Sequence, residues 1–106
     1  MAKFLVQVSY TAEGLRGLQK DKAAGRTAAV KSAVKGLGGK LECLYWALGE
    51  DDAIAILDMP DAASVAALGM SICSTGLVTT KTSVLLTADE IDAALEKTVK
   101  YRGPGK

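Results

Sequence analysis

The chain has 106 residues and no histidine. That absence removes the Ser-His and Cys-His pairs that activate most protein nucleophiles, and it removes a principal zinc ligand. Cysteine is nearly absent too: Cys43 and Cys73 stand far apart, in neither CxxC nor any other ligand spacing. They are expected to be buried, unreactive thiols, with no metal, no disulfide and no cofactor. Aromatic residues are few, one Phe, one Trp and three Tyr, and thirteen basic residues are offset by twelve acidic ones. A surface without basic excess or stacking rings is not expected to bind nucleic acid. No apolar run approaches the ~20 residues that a membrane span requires, so no membrane partner is expected. Phe4-Leu5-Val6-Gln7-Val8 is too short and too interrupted for a secretory core, and a cytoplasmic location is the expectation.

Apolar residues, by contrast, make up 49% of the chain, enough for one packed domain and too many for a disordered one. Residues 1–96 read as a single α+β domain and residues 97–106, KTVKYRGPGK, as a flexible basic tail. Lys3 to Tyr10 is a strand by composition, with Phe4, Val6, Val8 and Tyr10 on one side. Thr11 caps a helical region that carries Leu15 and Leu18, breaks near Lys20-Asp21-Lys22, and resumes with Val30, Ala33, Val34 and Leu37. Gly36, Gly38 and Gly39 close this helix and lead into a strand. A phosphate-binding loop needs the reverse order, strand before glycines and helix after. These glycines are C-cap chemistry.

Leu41–Leu48 and Ala53–Met59 are two strands joined by Gly49-Glu50-Asp51-Asp52, a hairpin connection. Asp61 caps the next helix, with its stripe of Val65, Leu68 and Ile72, and Gly76 ends it. Leu77–Leu86 is the fourth strand, and Thr87-Ala88-Asp89-Glu90 is a capping box for a last helix. The order βαββαβ with an added C-terminal helix is the ferredoxin-like arrangement, a four-stranded antiparallel sheet with helices on one face.

Neither side of the second and third strands looks solvated. Leu44, Trp46 and Leu48 alternate with Cys43, Tyr45 and Ala47, and Ile54 and Ile56 alternate with Ala53, Ala55, Leu57 and Met59. An apolar sheet face left open by its own helices points to a second copy of the chain, sheet on sheet. The alternative is that the C-terminal helix folds across it. Gln7 with Ser9, and Thr80 with Thr82, put polar groups on one side of the first and fourth strands. Such groups among apolar walls suit a small-molecule pocket, although β-propensity explains the threonines equally well.

The frame YWALGEDDAIAILDMPD resembles the GYD-domain proteins, small prokaryotic proteins named for a Gly-x-Tyr-Asp-like signature at this hairpin. The similarity extends to Thr11-Ala12-Glu13-Gly14-Leu15, Arg26, Gly38-Gly39-Lys40-Leu41, Val78-Thr79-Thr80-Lys81-Thr82 and the Thr87–Glu90 cap, spanning residues 3 to about 95. The resemblance implies a dimeric α+β-barrel-like assembly and no established activity. In this chain Asp51 takes the place of the signature tyrosine, so a role for that phenol does not carry over. Asp52 does.

A solvated turn accounts for Glu50 and Asp51, which would repel each other if buried. Asp52 either caps the turn by accepting backbone N–H bonds or faces a pocket as a general base. The expected function is a homo-oligomeric module, a homodimer or higher assembly of self, that binds a small molecule or another protein without catalysis. Tyr10, Tyr45, Trp46, Thr80 and Thr82 are its candidate ligand-binding residues. The alternative is an enzyme similar to cofactor-independent monooxygenases or isomerases, in which Asp52 removes a proton from a substrate held by Tyr10, Tyr45 and Trp46. That alternative rests on fold analogy alone.

Overall fold

Alternation of apolar residues through KFLVQVSY builds the first strand, β1 (Ala2–Tyr10), and Thr11 turns the chain into α1 (Ala12–Gly36). The Thr11 hydroxyl accepts the Gly14 N–H at 3.1 Å, satisfying a donor that the helix itself leaves free. The expected break in α1 falls at Lys22, whose φ of 67° and ψ of 163° lie outside the helical region. That combination is nearly restricted to glycine and costs of order 1–3 kcal/mol for a residue with a side chain. It divides α1 into two segments that point differently over the sheet. Gly38, at φ 81°, closes the helix, and the Gly39 N–H reaches back to the Val34 carbonyl at 3.0 Å.

The hairpin follows as β2 (Lys40–Trp46) and β3 (Ala53–Met59). Its connection runs from Ala47 to Asp52, longer than the expected four residues, because β2 ends at Trp46. Leu48 therefore leaves the apolar face assigned to it and stands fully in solvent. Asp61 accepts the Ser64 N–H at 2.7 Å and starts α2 (Ala62–Cys73), a bond that holds its carboxyl below the usual carboxylate range. The final strand is β4 (Val78–Leu85), and the Thr87–Glu90 capping box opens α3 (Ala88–Leu95) as expected.

The strands lie in the order β2-β3-β1-β4, every neighbouring pair antiparallel. This is a ferredoxin-like α+β architecture. Phe4 and Val6 of β1, Ala55, Leu57 and Met59 of β3, Val34 of α1, and Val65 and Leu68 of α2 form the core. A register shift at Glu42 places both Leu41 and Leu44 against that core, which strict alternation would forbid. All 106 residues are described by the computed structural model.

Two features remain without a partner inside the chain. On the sheet face away from the helices, Leu5, Ile54 and Ile56 are only half-buried and Tyr45 is exposed. The C-terminal helix does not cover them: α3 buries no residue, and Ile91 and Leu95 of its stripe are exposed. The radius of gyration is 16.9 Å. A compact chain of this length has about 13 Å, so α3 and the segment after it extend beyond the body.

Candidate functional site

Tyr10 and Trp46 end two strands that β3 separates, and the residue between them is small. Ala53 pairs with both Val8 and Trp46, and Ala55 pairs with Val6 and Leu44. Two alanines between larger neighbours leave a trough in the helix-facing side of the sheet. Across it the rings of Tyr10 and Trp46 meet at 5.9 Å, tilted by 36°. That separation is within the range of favourable aromatic contacts.

The second segment of α1 roofs the trough with Val30 and Arg26, leaving an apolar chamber of about 60 Å³ bounded also by Leu44, Leu68 and Ile72. A wider cleft of about 320 Å³ adjoins it, between the first segment of α1 and the C-terminal half of α2. Gly14, Gly17, Leu18, Asp21, Ser71 and Thr75 line this cleft. Tyr10, Arg26, Leu68, Ile72 and Val78 border both spaces, so chamber and cleft form one site. Arg26 is the only charged residue of the chamber. Its guanidinium lies 3.5 Å from the Asp21 carboxylate, on the other side of the strained Lys22. The kink and the site coincide.

Of the residues expected to bind ligand, the structure brings two together at this cavity, Tyr10 and Trp46. Tyr45 points the other way, exposed on the open face of the sheet. Thr80 and Thr82 lie on the helix side, in an apolar groove between β4 and α2 that also includes Met70 and Val84. Arg26 is the residue that reading the sequence for function passes over. It stands four residues before Val30 and eight before the buried Val34, so it continues the apolar face of the helix. A cation on a core-facing stripe is the signal that was available.

The hairpin acids separate as well. Glu50 is solvated as expected, but Asp51 is not: it is the one charged residue buried in the chain. It accepts bonds from Gln7 Nε2 at 3.0 Å and Ser9 Oγ at 3.3 Å, and Lys81 Nζ lies 3.3 Å away. Pairing of Gln7 with Lys81 across β1 and β4 assembles these partners beneath the loop. Like-charge repulsion with Glu50 fails to expel Asp51 because a cation and two neutral donors compensate it.

Asp52 accepts the Tyr10 N–H at 2.7 Å, while its own N–H donates to the Val8 carbonyl at 2.8 Å. Its carboxylate thus fixes the end of β1 and the backbone that carries Tyr10, and it borders neither chamber nor cleft. Asp52→Asn, which keeps an acceptor, is expected to leave stability almost unchanged in chemical denaturation. Asp52→Ala is expected to cost about 1.5–3 kcal/mol, the range for losing a hydrogen bond to a charged group.

The thiols differ from expectation. Cys73 is exposed, with its Sγ 3.4 Å from Thr80 Oγ1, and Cys43 is only partly buried. Edge position explains both: Cys43 lies on the uncovered face of β2, and Cys73 ends α2 over the uncovered groove. Both are free, and no three His, Cys, Asp or Glu side chains gather where they could hold a metal ion. No helix is long and apolar enough to cross a membrane.

No curated protein and no solved structure shows significant similarity to the chain. A family model does: the GYD domain matches residues 4–95, from the first core residue of β1 to the last residue of α3. The match includes every strand that frames the Tyr10–Trp46 trough and the hairpin that fixes it, and the chain belongs to the GYD-domain family.

Proposed function

We propose that this protein is a homodimeric binding module that holds a small, largely apolar molecule in the chamber and cleft beside Tyr10 and Trp46. The cavity itself carries the reading: an aromatic pair and aliphatic walls, with polar groups confined to one side, is the usual form of a small-ligand site. The lack of histidine favours binding over catalysis. So does the engagement of Asp52 with the Tyr10 backbone, away from the cavity.

A second copy is the proposed partner, packed sheet to sheet over Leu5, Ile54 and Ile56. The exposed stripe of α3 supplies further apolar surface for that association.

Calorimetric titration with a panel of small arenes tests the binding function. At least one is expected to bind saturably, once per chain. Val30→Phe, which fills the chamber from its roof, is expected to weaken that binding by ~10-fold or more, about 1.4 kcal/mol, while the circular dichroism spectrum is retained. Absence of saturable binding across the panel, or affinity indifferent to Val30→Phe, overturns the assignment to this cavity.

A further inference from the structure

Every cavity needs its charge explained, and here one residue sets it. We infer that the site takes a small aromatic carboxylate, with Arg26 gripping the acid group where chamber meets cleft. This rests on the binding reading above and specifies its ligand.

A guanidinium offers five N–H donors in a planar fork suited to carboxylate oxygens. Arg26 pairs with Asp21, its Nη1 lying 3.5 Å from the carboxylate. Charge-assisted N–H···O bonds close to about 2.7–2.9 Å when both groups are committed. The pair is therefore loose, and Asp21 is nearly half exposed, with 48% of its side chain accessible. An incoming carboxylate can replace it without leaving a buried charge behind, because Asp21 turns to water. The exchange keeps Arg26 neutralised and converts one long contact into a bidentate one.

The sign of the ligand follows from where the two charges lie. Asp21 borders the outer cleft alone, whereas Arg26 borders the cleft and the apolar chamber. A ligand whose ring rests against Trp46 and Tyr10 meets the cation first. Ser71 in the cleft adds a hydroxyl donor and no second positive charge, while the Thr75 hydroxyl already donates to the Ile72 carbonyl at 2.8 Å. One acid group is the match. The break at Lys22 contributes to the same arrangement: in a regular helix residues five apart lie about 140° apart around the axis, whereas here Asp21 stands 3.5 Å from Arg26.

The test is calorimetric titration of the whole chain with 2-naphthoate and with neutral 2-naphthylmethanol. Naphthoate is expected to bind ~10-fold or more tightly than the alcohol, the worth of one charge-assisted contact. Arg26→Gln is expected to abolish that preference, bringing the two affinities together. Asp21→Asn, by removing the internal competitor, is expected to tighten naphthoate binding several-fold. Equal affinity for both compounds, or a preference that survives Arg26→Gln, overturns the proposal while the binding function stands. If Arg26→Gln does not fold, unchanged naphthoate affinity in Asp21→Asn overturns it instead. If neither compound binds, the proposal falls, and the arene panel decides the binding function separately.

Discussion

Gly14→Ala is expected to destabilise the protein by about 3 kcal/mol or more, at the upper end of the cost of overpacking. A Cβ at this position would lie 2.1 Å from the Leu77 carbonyl oxygen and 3.2 Å from the Tyr10 ring. The oxygen has no room to yield, because it already accepts the Thr11 N–H at 2.9 Å and the Thr11 hydroxyl at 3.1 Å. Relief requires the start of α1 to lift from β4, which breaks those bonds and deforms the cleft. Gly17 provides the control, one turn further along the same helix. A Cβ there meets nothing within 4 Å. Gly17→Ala is expected to stabilise by about 0.4–1 kcal/mol through a less flexible unfolded chain and better helix propensity. Opposite signs in urea denaturation, three residues apart, distinguish close backbone approach from a general need for glycine.

Ile56→Lys is expected to produce a folded monomer. In the isolated chain Ile56 is only half-buried, so a lysine stem can lie along the sheet with its ammonium in water. Between two sheets the same charge has no exit. Each copy would then lose ~3 kcal/mol or more, and the two losses together raise a dissociation constant by on the order of 10⁴-fold or more. Light scattering coupled to size exclusion is expected to give at least twice the 11.0 kDa chain mass for the unaltered protein at micromolar concentration, and the single-chain mass for the variant. A variant that keeps the larger mass moves the interface away from this face. A monomeric unaltered protein removes it.

Much of this architecture is written in local chemistry. Thr11, Asp61 and Thr87 announce their helices because a short side-chain oxygen has one dominant use before an amphipathic run, and all three accept the expected N–H. The alternation in β3 is equally plain, since Ala53, Ala55, Leu57 and Met59 are all buried. The sites are less legible because they depend on contacts between segments distant in sequence. Nothing near Asp51 predicts that Gln7, Ser9 and Lys81 will enclose it; only the β1–β4 register does that. Arg26 could be placed on a core-facing stripe, but its position at a cavity mouth depends on the backbone angle at Lys22. Tyr45 and Trp46 adjoin in sequence and so fall on opposite faces of the sheet, which strand periodicity requires. Grouping them in one pocket overrode that rule.

Trp46 is the chain's only tryptophan and one wall of the cavity, so its fluorescence reports the occupied site directly. Acrylamide quenching of Trp46, measured while phenylacetate is added, tests the binding function at the residue concerned. Protection from the quencher is expected to rise saturably to one ligand per chain, and Val30→Phe is expected to weaken it. Quenching that stays constant up to saturating ligand would place any binding elsewhere and contradict the account.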